Sequence, residues 1–301
     1  MIQKKEESLL KNFVIGAMAG SSAAVFSNPF DCAKTRLQLQ GELMKTGEYQ
    51  KKLNGVVDTL IKTYKYEGIR GIQSGLLTAI YFQTVMNGLR LGIYESGKAL
   101  RHEDNKKSHA YNMLTGLCAG FTGSFTASPL QLVKTRQQAN SFAAERHRYQ
   151  YKSVLEALTK IFQLEGVKGL YHGAVPFAMR TGVGSAAQLA TYDKIKHIAV
   201  DNFHLKDDGV LYVFSSFVAS FAASFTQSPW DVVSTRVYNQ KYSQAGGELY
   251  KGPWDCFIKI LKIEGVAGLY KGFFAMWSRM APHTMLFFAF TEYFKGIFAK
   301  Y

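Results

Sequence analysis

The chain has 301 residues, with 36 Lys and Arg against 22 Asp and Glu for a net charge of +14, and a pI near 9.5. That balance points to anionic partners such as nucleic acid, lipid headgroups or small acids. The three cysteines, Cys32, Cys118 and Cys256, stand too far apart for a CxxC metal site or a disulfide framework. A mean hydropathy of −0.08, without any run of about 20 apolar residues, would read as a soluble chain, and the internal repeats overturn that reading.

In chain order, the opening MIQKKEESLLKNF is polar and contains Glu6 and Glu7. It is neither a secretory signal nor an acid-poor, Arg-rich transit peptide. A first apolar helix carries Gly16 and Gly20 and runs into PFDCAKTRLQ (Pro29–Gln38). A polar loop leads to an amphipathic stretch that ends in EGIRGIQSG (Glu67–Gly75). A second long helix closes with YESGK (Tyr94–Lys98), and the linker RHEDNKKSH follows. The same order returns with Gly116 and Gly120, PLQLVKTRQQ (Pro129–Gln138), EGVKGLYHG (Glu165–Gly173), YDKIK (Tyr192–Lys196) and the linker DNFHLKDDG. It returns again with Ser216 and Ser220, PWDVVSTRVY (Pro229–Tyr238), EGVAGLYKG (Glu264–Gly272) and TEYFK (Thr291–Lys295).

Copies over 1–105, 106–206 and 207–301 predict an all-α membrane protein with six long helices and one short amphipathic helix per copy. The small-xxx-small pairs predict close helix approach. Charges beside helix-bending prolines predict a wet interior. A soluble scaffold of basic α-helical repeats shares the repetition but predicts neither feature. No Walker loop, HExxH or interpretable nucleophile set supports an enzyme. Basic residues recur at fixed repeat positions, not in one patch, which argues against nucleic-acid binding.

Positions alike in all copies suit gating, and positions that differ suit recognition of an asymmetric solute. Thirteen residues before Glu95, Asp193 and Glu292 stand Phe82, Arg180 and Arg279; nine before stand Met86, Gly184 and His283; five before stand Arg90, Gln188 and Phe287. Steps of four keep each ladder near one helix face. Arg90, Arg180 and Arg279, with Gln188 at the ladder level of Arg90, predict a site for a small anion with about two charges. His283, with an ordinary pKa of ~6.5, suits either a proton carrier or a neutral hydrogen-bonding side chain. Gly75, Gly173 and Gly272 precede helix starts, where freed N–H groups suit a lipid phosphate or serve as plain caps.

The signature Pro-x-[Asp/Glu]-x-x-[Lys/Arg] followed by a glycine motif, three times in order, resembles the mitochondrial carrier family over nearly the whole chain. The resemblance implies six tilted helices about a pseudo-threefold axis in the mitochondrial inner membrane. It implies a multi-pass monomer that contacts cardiolipin and has no cofactor, metal or catalytic residue. It also implies a matrix gate in which Asp31 faces Lys134, Asp231 faces Lys34 and Gln131 faces Ser234. A cytoplasmic gate would combine Glu95, Asp193 and Glu292 with Lys98, Lys196 and Lys295, Thr291 departing from the usual aromatic. Gln131 and Ser234 depart together on one pair, so no buried charge is stranded, and an amide is expected to face a hydroxyl. Arg180-Thr181 resembles carriers of keto acids and dicarboxylates. RLGIYE, SAAQLATYD and RMAPHTM resemble the branch of oxaloacetate, dicarboxylate and 2-oxoglutarate carriers. The expected cargo is oxaloacetate, with sulfate, malonate or similar dianions, moved by alternating access. A malate/2-oxoglutarate exchanger is the alternative.

Overall fold

The computed structural model describes residues 2–44, 51–99, 109–142, 149, 151–201, 209–243, 246–247 and 249–299. In chain order these form α1 (Ile2–Leu39), α2 (Gly55–Ile72), α3 (Leu76–Ala99), α4 (His109–Ala139), α5 (Val154–Leu170), α6 (Ala174–Asp201) and α7 (Gly209–Asn239). A two-residue antiparallel ladder, β1 (Tyr242–Ser243) with β2 (Gly246–Gly247), then precedes α8 (Pro253–Ile263), α9 (Val266–Leu269) and α10 (Phe273–Ala299). The long helices close a ring: α1 packs on α3, α3 on α4, α4 on α6, α6 on α7, α7 on α10, and α10 returns to α1. Short α2, α5 and α8 pack on α1, α4 and α7 respectively.

Pro29, Pro129 and Pro229 lie inside α1, α4 and α7, which continue ten residues beyond them to Leu39, Ala139 and Asn239. Proline deletes one helical hydrogen bond, and each helix continues through it here. The signature charges therefore sit on helix and not in a loop. Among the described residues only Phe13–Leu39 is apolar and long enough to read as a span by composition. The other long helices carry polar side chains such as Arg180 and Asp231 that face one another inside the ring. Outside, Phe26, Phe121, Phe217 and Phe274 are exposed, an apolar surface of the kind lipid covers.

The close-approach expectation holds for the first copy only in part and fails for Gly120. A side chain at Gly20 would strike Asn87 of α3, yet among the described residues nothing lies within 4 Å of one at Gly120. In α4 the close contact falls on Gly123, whose Cβ would stand 3.1 Å from the Met86 carbonyl. Three residues are nearly one turn, about 60° short of it, so the packed seam of α4 is rotated away from its GxxxG stripe.

Candidate functional site

One turn separates residue 31 from residue 34, 131 from 134 and 231 from 234, so the acid on one of α1, α4 and α7 can reach the base on another. Lys134 Nζ donates to Asp31 Oδ2 at 2.7 Å, and Lys34 Nζ to Asp231 Oδ1 at 3.1 Å. Each carboxylate also holds an arginine. Arg180 Nη1 donates to Asp231 Oδ1 at 2.7 Å, and Arg279 Nε stands 2.9 Å from Asp31 Oδ1. Gln38 adds a third donor to Asp231 at 2.7 Å. All four signature charges are buried, so these pairs are poorly screened.

The arginines are not fully satisfied. Among the described residues Arg180 Nε is buried without an acceptor, and Arg279 Nε, though close to Asp31, is not aligned to donate. Four cations (Lys34, Lys134, Arg180, Arg279) against two carboxylates (Asp31, Asp231) leave a surplus of 4 − 2 = 2 positive charges.

The third corner is built differently. Ser234 is buried, and its hydroxyl donates to the Asp231 carbonyl on its own helix at 3.0 Å. No hydrogen bond joins it to Gln131 among the described residues, so the expected amide–hydroxyl contact is not made in this conformation. A serine arm is short, and its own helical carbonyl is the nearer acceptor. At the α3 position equivalent to Arg180 and Arg279 stands Phe82, 6% exposed. Its ring meets Phe177 edge-on at 5.9 Å, Phe177 meets Tyr238 at 6.4 Å, and Lys134 Nζ lies 5.6 Å from the Phe82 ring. Acid, base and arginine are all missing from this corner, and aromatic packing fills it.

Beneath these pairs lies a ring that the sequence announced without explaining: the Arg of the thrice-repeated Thr-Arg. Arg36 donates to Glu67 at 2.7 Å and to the Asn140 carbonyl at 2.8 Å. Arg136 donates to Glu165 and to the Tyr238 carbonyl at 3.0 Å. Arg236 donates to Glu264 at 2.9 Å and to the Gln38 carbonyl at 3.4 Å. Each guanidinium thus binds the Glu of its own copy's Glu-Gly motif and end-of-helix carbonyls of another copy, which lack helical partners. Burial pushes the Glu264 carboxyl up, but Arg236 and Lys271 more than offset it and hold it below the usual carboxylate range. The glycines after these acids, Gly68, Gly166 and Gly265, have φ of +66° to +71°, which explains their recurrence.

The other predicted residues separate. Arg90 is exposed on α3 and has no ion-pair partner among the described residues. Thr181 donates to its own helix at the Phe177 carbonyl, 3.0 Å, and Gln188 is exposed. Gly184 packs against α7: its Cβ would stand 2.9 Å from Gln227. Steps of four overshoot a turn by about 40°, enough to walk the ladder toward the neighbouring helix. His283 bridges Ser27 at 3.0 Å and Gln83 at 3.1 Å. Gly75, Gly173 and Gly272 pack against another copy: a Cβ would stand 3.4 Å from the Lys134 carbonyl at Gly75, would run into the Tyr238 ring at Gly173, and would stand 3.0 Å from Gln38 at Gly272. At the far end Glu292 and Lys295 pair at 3.2 Å along α10 and are exposed. The side chains of Glu95, Lys98, Asp193 and Lys196 lie outside the described ones. No group of three potential metal ligands occurs among the described residues.

A ring of six helices built from three copies, closed at one end by interhelical ion pairs, defines a membrane carrier. The chain belongs to the mitochondrial carrier family: the family model "Mitochondrial carrier protein" matches residues 5–105, 105–203 and 207–301. It is therefore a multi-pass transporter of the mitochondrial inner membrane and not an enzyme. It is 43% identical to the mitochondrial substrate carrier family protein ucpA of Dictyostelium discoideum, covering 95% of this chain and 93% of that protein. It is 39% identical to the mitochondrial oxaloacetate transport protein of Saccharomyces cerevisiae, covering 93% and 87%. It is 36% identical to the mitochondrial citrate transporter E of Aspergillus niger, covering 93% and 91%.

Proposed function

We propose that the protein carries small dianions, oxaloacetate first, with malonate, sulfate and similar dicarboxylates as further cargo. The observation that carries this reading is the surplus of two positive charges around Asp31 and Asp231, with guanidinium N–H groups left unsatisfied. A dianion neutralises that surplus; a trianion such as citrate overshoots it. The exposed Arg90 is the first cation such an anion meets on its way in.

In this reading the proline end is the matrix gate, closed in this conformation, and Glu95, Asp193, Glu292 and their lysines form the opposite gate. The anion draws Arg180 and Arg279 from the carboxylates, since a guanidinium fork serves one bidentate acceptor at a time. Asp231 then keeps only Lys34 and Gln38, and Asp31 keeps only Lys134, so the gate weakens as the cargo binds. The glycine motifs serve first for close packing, and their helix starts remain available to a cardiolipin phosphate. The protein works as a monomer of three copies bounded near 105 and 206.

Uptake of radiolabelled oxaloacetate, malonate, sulfate, citrate and 2-oxoglutarate into proteoliposomes tests the reading. Oxaloacetate should enter fastest, and Arg180→Ala should abolish uptake. Faster citrate or 2-oxoglutarate entry, or an active Arg180→Ala variant, overturns it.

A further inference from the structure

Ser27 of α1, Gln83 of α3 and His283 of α10 meet where no ionic partner is engaged. His283 Nδ1 lies 3.0 Å from Ser27 Oγ, His283 Nε2 lies 3.1 Å from Gln83 Nε2, and Asn87 Nδ2 donates to Gln83 Oε1 at 3.3 Å. An amide nitrogen only donates, so His283 Nε2 is the acceptor and the imidazole is neutral, with its proton on Nδ1 toward Ser27. Gln83 keeps a second N–H that no hydrogen bond among the described residues uses.

The placement is specific. Helices α3 and α10 flank α1 on its two sides, so Gln83 and His283 meet in front of the inner face of α1. Ser27 is one turn from Asp31, and His283 is one turn from Arg279. The residue before Gln83 is Phe82, which occupies the corner where the other two copies place Arg180 and Arg279. The site floor thus offers cations from α6 and α10 and, from α3, a neutral donor beside an aromatic ring.

We infer that Gln83, oriented by His283 and Asn87, is a specificity residue that donates to an oxo or hydroxyl oxygen lying between the two carboxylates of the cargo. This rests on the dianion reading above. Two arginines fix the carboxylate ends, and the remaining corner is suited to an uncharged acceptor. Plain dicarboxylates and sulfate lack that oxygen and leave the Gln83 N–H unpaired, and a site built to hydrogen-bond its substrate discriminates by that unpaired group.

The test is the ratio of oxaloacetate to malonate uptake into proteoliposomes, for the parent chain, Gln83→Met and Asn87→Ser. Thermal protection of detergent-solubilised protein by each anion reads the same ratio without reconstitution. The parent should favour oxaloacetate. Gln83→Met should lower the ratio about 3- to 10-fold, the worth of one net hydrogen bond, and Asn87→Ser should lower it less. A ratio unchanged within about twofold in Gln83→Met, or a parent that favours malonate, overturns the inference while leaving dianion transport standing. A parent that neither takes up nor is protected by any dianion overturns the underlying reading itself.

Discussion

At Asp231 one carboxylate gathers Lys34 at 3.1 Å, Arg180 at 2.7 Å and Gln38 at 2.7 Å. At the equivalent Gln131 no charge is present, Ser234 bonds its own helix, and Phe82 stands where an arginine would. The contrast shows that the loss of the third ionic strut is complete. Removing one charge from a buried network strands another at a cost of several kcal/mol, whereas removing all members together leaves nothing unpaired. On the proposed reading, such a gate would hold through two ionic corners whose arginines also serve the cargo and one aromatic corner that does not.

Breaking the ionic side should give the largest effect. Arg180→Ala should lower uptake by about 100-fold or more, because it removes the proposed cargo contact and leaves Asp231 short of a partner. Phe82→Ala at the equivalent position should act on stability, costing about 3–5 kcal/mol through a core cavity, and should lower the melting temperature. Next, Asp231→Asn should destabilise the detergent-solubilised protein by about 3–5 kcal/mol by stranding Lys34 and Arg180. Gln131→Ala should stay within about 0.5 kcal/mol.

Rebuilding the missing strut sharpens the comparison further. Gln131→Asp alone should destabilise the protein, and Ser234→Lys added to it should recover about 1–3 kcal/mol of coupling in a double-mutant cycle. A coupling near zero would mean that the two positions do not meet in the closed gate.

The smallest effect lies at the helix starts outside the ring. The Lys259 ammonium, together with the Lys251 backbone N–H, holds the Asp255 carboxyl below its usual range. Its contribution is therefore present above the ordinary Asp range and lost as pH falls through the depressed value. Because the pair is partly exposed, it amounts to a few tenths of a kcal/mol. Asp255→Asn should flatten the acid limb of the melting-temperature profile slightly and leave pH 7 transport unchanged.

Much of this was legible in the residues. The repeat gave the six long helices, and the pairings of Asp31 with Lys134 and Asp231 with Lys34 follow from the signature and the resemblance. The Thr-Arg repeat was visible too, but not its purpose. Arg136 takes Glu165 from its own copy and the Tyr238 carbonyl from another, a link between copies that spacing along one chain does not encode. The ladders blurred for a geometric reason: steps of four overshoot a turn, so Gly184 falls against Gln227, and Phe82 is buried among aromatics. The Arg180 and Arg279 contacts with the gate acids likewise depend on how α6 meets α7 and how α10 meets α1.

The central claim is that the cargo takes the arginines from the gate acids. Spin labels at the exposed Lys51→Cys and Lys251→Cys, with the native cysteines replaced, report the span of the closed end by pulsed dipolar spectroscopy. Saturating oxaloacetate should shift that distance distribution in the otherwise unaltered chain and leave it unmoved when Arg180→Gln is added. An equal shift in the Arg180→Gln protein, or none in the unaltered chain, would contradict the account.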